Sequence, residues 1–456
     1  MKMKLVCVAL LLMLVNAGRV IANDSTDNEA RFNWTLFQGA LYNPYQLSEE
    51  DKHVYGLRIN LGYSKNADII GIDFGVGLNE ARNVTGLEAC VLVNKINETM
   101  TGIQLAGLGN FADGAITGIQ LAGLVNWTEE NLAGMQLAGL VSKAKEVRGG
   151  QLGVIGSWAK GTVTGMQLGC VNLAEGEATG IFGGLGNWAK GPMTGIQLAG
   201  LGNFADGAIT GMQLAGLVNW TEENLAGMQL AGLVSKAKEV RGGQLGIIGN
   251  WAKGTVTGMQ LAGLGNFADG AITGMQLGVG VNVANKEVKW LQIAGFNYAM
   301  GNVSGIQLGV LANIVEAEGA NVVGVQIGGL GNKTNNITGI QLGGLVNKTQ
   351  DVLGVQLGAG ANITNNVGGL QIAGGLNYSD DVTGIQLGGL GNRAISMNGL
   401  QLAAGGNRAD KMTGAQFSGL TNVAKGITGA QIGITNKAGE ITGGQLGFYN
   451  LAEQII

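Results

Sequence analysis

The side chains best suited to binding chemistry are aromatic rings that stand just after a recurring asparagine position. Exposed rows of aromatic rings suit the apolar faces of a surface glycan or a protein partner. Because the rings occupy equivalent places in a repeat, we expect them to form one line along the surface, in the turns. Alternatively, each ring folds back over its own turn. The predicted binding residues are Phe111, Trp127, Trp158, Trp188, Phe204, Trp220, Trp251 and Phe267.

Residues that carry enzymatic chemistry are scarce. The only histidine, His53, lies ahead of the regular repeats, which argues against a histidine-based triad or a histidine-rich metal site within them. The pairs Glu129–Glu130 and Glu222–Glu223 lie in duplicated turns, and we interpret them as solvated charge and not as the carboxylates of a glycosidase. A Gly-Gly-x-Gly-x-Asp calcium repeat is missing as well. We therefore predict a non-enzymatic protein with no cofactor and no metal site.

These residues are carried by a phrase, Gly-Ile-Gln-Leu-Gly/Ala-Gly-Leu-x-Asn, that recurs every 15 or 16 residues from about Gly102 onward. Positions are counted here from its glutamine, as position zero. A short fixed period predicts a repeat architecture instead of a domain with one centre. Upstream, Arg58, Asp73 and Glu88 hold the glutamine position in degenerate units, so the total is about 26 units.

Each unit has aliphatic residues at −4, −1, +1 and +4, glycine at −2, and asparagine at +5 or +6. The period of two around the glutamine indicates a strand, with the glutamine opposite its two aliphatic neighbours. We predict an all-β fold, a parallel β-solenoid of about 26 coils of 15–16 residues, with those aliphatics in the core. Asparagine would turn the corners in a left-handed conformation. The glutamines would form an amide ladder along the axis, or alternatively a ladder that a partner contacts.

Two alternatives to this fold and function stay open at this point. The 11 or so residues from −4 to +6 could instead form an antiparallel β-meander closed as an outer-membrane β-barrel, serving as a pore or a structural element. Equally short turns and an aromatic content of 5% argue against it. Threonine recurs at −3, and regular threonine faces can order water, so an ice-binding solenoid is a further alternative. Arg148 and Lys289 interrupt that column.

The chain divides into three segments. Residues 1–22 are predicted to be a signal peptide, residues 23–54 an N-terminal cap segment, and residues 55–456 the repeat array, in which 101–167 recur almost verbatim at 194–260. Removing the signal peptide takes away three basic residues and no acidic ones, so the net charge moves from −4 to −7. That balance argues against nucleic acid as a partner. Cys90 and Cys170 would remain as free, buried thiols.

The lead-in from Tyr55 to Tyr63 and the Gly-x-Gln-Leu-Gly-Gly-Leu-x-Asn units are similar to a family of uncharacterised bacterial surface-repeat proteins. The resemblance implies an exported protein, at the cell surface, in association with the outer membrane or extracellular. It implies no established activity. We therefore expect a surface scaffold or adhesin-like binding rod.

Overall fold

The computed structural model describes residues 33–456, so the predicted signal peptide and the first part of the cap segment lie outside the described residues. The described chain forms two compact units, one ending at Gly207 and the other beginning at Ala208. Each unit is a parallel β-solenoid, and together they contain about 28 turns. Residues 33–456 contain no helix that is long and apolar enough to cross a membrane.

The strands of the first unit are β1 Trp34–Tyr42, β2 Tyr45–Gln46, β3 His53–Asn60, β4 Tyr63–Gly75, β5 Leu78–Cys90, β6 Val93–Ile96, β7 Met100–Ala106, β8 Gly109–Ala112, β9 Ile116–Ala122, β10 Val125–Thr128, β11 Leu132–Ala138, β12 Val141–Ala144, β13 Val147–Gly153, β14 Gly156–Ala159, β15 Val163–Leu168, β16 Val171–Ala174, β17 Ala178–Ala189 and β18 Met193–Ala205.

The strands of the second unit are β19 Ile209–Ala215, β20 Val218–Thr221, β21 Leu225–Ala231, β22 Val234–Ala237, β23 Val240–Gly246, β24 Gly249–Ala252, β25 Val256–Ala262, β26 Gly265–Ala268, β27 Ile272–Gly278, β28 Val281–Ala284, β29 Val288–Ala299, β30 Val303–Val315, β31 Asn321–Gly328, β32 Gly331–Lys333, β33 Asn336–Gly343, β34 Val346–Lys348, β35 Asp351–Gly358, β36 Ala361–Ile363, β37 Asn366–Ala373, β38 Leu376–Tyr378, β39 Asp381–Gly388, β40 Gly391–Ala403, β41 Gly406–Ser418, β42 Thr421–Ile432, β43 Thr435–Leu446 and β44 Tyr449–Ile455.

A typical coil consists of a longer strand around the glutamine and a short strand around the asparagine. Each strand pairs in register with the equivalent strand of the next coil, as β7 does with β9, where Gln104 lies opposite Gln120. Such pairings are parallel in both units, and β1 with β2 is the antiparallel exception in the described chain. The predicted parallel solenoid is thus confirmed, and the antiparallel meander with its barrel is wrong.

The core is lined by a few fixed positions of each repeat. In the coil of Gln104, the buried side chains are Met100 at −4, the glutamine itself, Asn110 at +6 and Ala112 at +8. Ile103 at −1, by contrast, is exposed. The predicted core is therefore right at −4 and wrong at −1, +1 and +4. Alternation shows that two faces exist, but it does not tell which one is buried.

The interior is polar because stacked amides satisfy one another. Small residues share this interior, with glycine at −2 and alanine or glycine at +2, and they leave room for a column of glutamines. The prediction that asparagine turns the corners in a left-handed conformation is wrong, since the asparagines lie within short strands. Trp290, with φ of 119°, is the non-glycine residue with a positive φ in the described chain. Cys90 is buried as expected, whereas Cys170 is exposed.

The predicted cap segment contributes a coil of its own. Strand β1 pairs in parallel with β3, and Gln38 lies opposite Arg58, so the glutamine column extends further toward the N-terminus than the repeat phrase. The short strand β2 then pairs antiparallel with β1. Leu47 and Ser48 follow and donate backbone N–H groups to the backbone oxygen of Gly39 and to the side chain of Gln38.

Candidate functional site

The glutamine and asparagine columns form two buried hydrogen-bonded ladders. Gln120 donates through Nε2 to Oε1 of Gln104 over 2.6 Å, and Gln136 donates to Gln120 over 2.7 Å. In the asparagine ladder the donor is the earlier residue, as where Asn94 Nδ2 donates to Asn110 Oδ1 over 2.8 Å. Both columns are buried, so they stabilise the stack and cannot be contacted by a partner.

At the N-terminal end of the glutamine ladder, charged residues replace the amides. Arg58 donates to Asp73 through Nε over 2.8 Å and Nη2 over 2.6 Å, and Gln104 donates to Glu88 Oε2 over 2.8 Å. Burial, and next the charge of Asp73, raise the pKa of Glu88 well above its usual range. The side chains of this cluster are fully buried, so it serves the fold.

In the first unit, the predicted aromatic residues lie in one column on the short strands and not in the turns. Phe111 lies opposite Trp127, and Trp188 lies opposite Phe204. Trp158 lies in the same column between Lys143 and Leu173. Since this position, +7 in most coils and +6 at Trp188, lies between two buried residues, the rings point away from the core.

In the second unit, the column has the same order. Trp220 lies opposite Lys236, Lys236 opposite Trp251, and Trp251 opposite Phe267. Among the exposed rings of both units, exposure ranges from 37% at Trp158 and Trp220 to 51% at Trp251, whereas Trp127 is half-buried. The exposed rings are therefore partly accessible to solvent.

Lys143 is the residue of this column that a search for aromatic side chains misses. Its Nζ lies 3.4 Å from the centroid of the Trp127 ring and 5.6 Å from that of Trp158. It also lies 3.3 Å from Oε1 of Glu129, and its side chain is 5% exposed. An ammonium group held against an indole face is stabilised by a cation–π interaction. The signal available in the sequence was the spacing alone, since Lys143 stands at +7 like the aromatic residues.

The carboxylate of Glu129 connects this arrangement. It accepts a hydrogen bond from Nε1 of Trp127 over 2.6 Å and one from Nζ of Lys160 over 3.2 Å. Those two hydrogen bonds, together with the one from Lys143, lower the pKa of Glu129 to about 2. Burial lowers the pKa of Lys143. We call Trp127, Glu129, Lys143 and Lys160 the Trp127 cluster; Glu129 is ion-paired within it and not simply solvated.

The duplication reproduces the same arrangement in the second unit. Lys236 lies 3.4 Å from the centroid of the Trp220 ring, and Trp220 Nε1 donates to Glu222 over 2.6 Å. Lys253 donates to the other oxygen of Glu222 over 3.1 Å. The hydrogen bonds from Trp220 and Lys253 are the main causes that lower the pKa of Glu222 to about 2. We call Trp220, Glu222, Lys236 and Lys253 the Trp220 cluster.

The ring edges are occupied while ring faces stay accessible. Trp158 and Trp188 donate their indole N–H groups to Glu175 over 3.2 Å and to Asp206 over 3.3 Å. The tilted ring pair Trp251–Phe267 has its centroids 6.1 Å apart. With the indole donors of Trp127, Trp158, Trp188 and Trp220 paired, these columns offer mainly apolar ring faces to a ligand.

The threonine column at −3 is a less regular surface. Thr101 and Thr117 lie opposite each other and are exposed. The next coils in the same column carry Ala133, Arg148 and then Thr164. An alanine and an arginine interrupt the row of hydroxyl groups, so it does not form the flat, uniform face that ordering of water needs.

Within residues 33–456, three or more histidine, cysteine, aspartate or glutamate side chains do not come together in a group that could hold a metal ion. No protein-family model matches the chain. Comparison with curated proteins finds no match either. No solved structure is similar to it. The functional argument therefore rests on the aromatic columns themselves.

Proposed function

We propose that this protein is a non-enzymatic, exported surface repeat protein that acts as an adhesin-like binding scaffold. The observation that carries the proposal is the in-register column of exposed aromatic rings in each unit. Export rests on the basic and apolar pattern of residues 1–22, and surface placement on the resemblance to bacterial surface-repeat proteins.

The chemistry of the columns favours a surface glycan as the ligand. Apolar ring faces of Trp188 and Trp251, the most exposed tryptophans of the columns, suit the C–H faces of pyranose rings. Because each has a phenylalanine opposite it in the next coil, Phe204 or Phe267, a chain of sugars can contact two rings at once, which multiplies weak contacts into useful affinity. The acidic net charge of the chain, −4 by formal count, makes a neutral glycan a better ligand than an acidic one.

The test compares glycan binding by the wild-type protein and by a variant that loses four exposed rings of the columns, Trp158→Ala, Trp188→Ala, Trp251→Ala and Phe267→Ala. Trp127 and Trp220 are kept because each covers a lysine. The matched control is Trp290→Gly, which removes an exposed tryptophan that lies outside the columns.

On an array of neutral and acidic glycans, we expect the wild type and the control to bind neutral glycans and the fourfold variant to lose binding at least tenfold. Circular dichroism should stay the same in all three proteins. Equal binding by the fourfold variant, or no binding of any glycan by the wild type, would exclude the columns as a glycan surface.

A further inference from the structure

A second surface, distinct from the aromatic columns, is apolar and uncharged along the second unit. In the coils centred on Gln213 to Gln431, positions −1 and +1 to +4 carry no charged side chain. We call these positions the apolar strip. Large aliphatic side chains of the strip are exposed to solvent, among them Ile340, Leu345, Ile385 and Leu390. Leu390, at +4, is 67% exposed.

The strip has the relief of a ridge beside a groove. One groove is lined by large aliphatic residues at +1 and by small residues at +2 and +3. The large ones are Ile327, Leu342, Leu357 and Ile372, and the small ones include Gly343, Gly344 and Gly358. A second groove of the same kind follows further along the unit and is lined by Leu387, Gly388, Gly389, Leu402 and Ala403, among others. Rows of small residues beside rows of leucine allow the ridge of one surface to enter the groove of another.

The charged side chains of this unit lie outside the strip, and several of them form ion pairs. Lys333 at +7 contacts Glu316 over 2.7 Å, and Lys425 contacts Asp410 over 2.6 Å. Covering the apolar strip therefore buries no unpaired charge, which is the condition under which an apolar surface associates at low cost.

The strip is larger than an ordinary monomer leaves exposed. The largest apolar patch of a typical monomer is about 300–600 Å². A Leu or Ile side chain carries roughly 60–120 Å² of apolar surface, so partly exposed apolar side chains at two or three positions give on the order of 100 Å² per coil. The coils centred on Gln326 to Gln431, about eight in number, then supply the roughly 800 Å² per partner that a stable interface needs.

We propose that two copies of this chain pair side by side through the apolar strip of the second unit. A second copy is the occupant that matches the strip in every respect named above. It is equally uncharged, it has the ridge that the groove accepts, and its coils repeat with the same spacing of about 4.8 Å, so contacts made at one coil recur at the next. The same patch on both copies gives a closed, isologous dimer.

The test is sedimentation velocity of the full chain without detergent, at concentrations from nanomolar to tens of micromolar. The disrupting variant is Leu345→Lys with Leu390→Lys, which places two charges on the strip. The matched control is Leu353→Lys, because Leu353 is 63% exposed but stands at −3, outside the strip.

We expect a dimer for the wild type and for Leu353→Lys, and at least a hundredfold weaker association for the double lysine variant. The milder Leu345→Ala with Leu390→Ala should weaken it about tenfold, and it keeps the test valid if the lysine variant does not fold. A wild type that is monomeric at every concentration would overturn the proposal, as would unchanged association of the variants. Binding of a monomeric wild type to phosphatidylcholine vesicles, lost in the double lysine variant, would also overturn it by assigning the strip to lipid.

Discussion

The glycine at −2 has the strongest conformational requirement in the repeat, and one strand contains a matched pair to test it. Gly429 in β42 has φ of +140°, and a Cβ added there would lie well under 3.0 Å from the carbonyl oxygen of Gly414 in the preceding coil. Gly426, three residues earlier, has no positive φ, and a Cβ added there meets nothing within 4 Å. The substitutions Gly429→Ala and Gly426→Ala therefore add the same methyl group to two different environments.

The magnitude follows from two terms. An L residue in the left-handed region costs roughly 1–2 kcal/mol, and relieving the overlap with backbone requires the coils to separate and lose ladder hydrogen bonds of about 1 kcal/mol each. We expect Gly429→Ala to destabilise by about 3–5 kcal/mol. Gly426→Ala should be neutral or stabilise by about 0.4–1 kcal/mol, because alanine restricts the unfolded chain.

Because each coil contacts only its neighbours, the loss should be local, so the assay must resolve position. Native-state hydrogen exchange read by mass spectrometry, combined with urea denaturation, reports both the free energy of unfolding and where it falls. We expect faster exchange in β41, β42 and β43 in Gly429→Ala and no change in Gly426→Ala. Equal stability and equal exchange in the two variants would refute the argument that close coil stacking selects glycine at −2.

Three further predictions concern buried or strained residues. Replacing Gln341 by leucine should cost about 2–5 kcal/mol in urea denaturation, since it leaves Oε1 of Gln326 without its donor and removes the glutamine acceptor of Gln356 Nε2. A loss below about 1 kcal/mol would contradict a stabilising ladder. Glu88 has a raised pKa in the folded protein, so its contribution to stability is complete below its unfolded pKa of about 4.3 and is lost as the pH rises toward the folded pKa. Glu88→Gln should therefore stabilise the protein at pH 8 but not at pH 4, and a pH-independent effect would argue against a protonated Glu88. Trp290 occupies the −2 position with φ of 119°. Trp290→Gly should therefore raise the midpoint of thermal unfolding, because it relieves about 1–2 kcal/mol of backbone strain. A lower midpoint would show that the packing of the indole ring stabilises the protein by more than this strain.

The alignment of the aromatic residues in the candidate site could be predicted from the repeat period, whereas the side-chain contacts around Lys143 could not. Equal spacing along the chain is enough to place Phe111 opposite Trp127 and Trp188 opposite Phe204. The cluster around Lys143 could not be predicted in the same way, because a lysine becomes a partner of an indole ring only when the neighbouring coil brings the ring within 3.4 Å.

The sequence by itself determined the architecture. A repeat of 15 or 16 residues, with glycine at −2 in nearly every unit and a strand around each glutamine, indicates coils that stack in parallel, since that arrangement brings equivalent residues together in every coil. It also determined where the duplicated Trp127 and Trp220 clusters stand, because 101–167 recur at 194–260.

Only the tertiary structure decided which side of the strand is buried. Hydrophobicity favoured the aliphatic residues at −1 and +1 as core, yet the glutamine between them is the buried residue and they face outward. Burying a single glutamine costs free energy because its amide loses hydrogen bonds to water. When the coils are stacked in register, each amide forms a hydrogen bond with the next, as Gln120 does when it donates to Gln104, and the cost of burial is offset. That cooperative property belongs to the stack and not to the single repeat, and it leaves the aliphatic residues on the surface as the apolar strip.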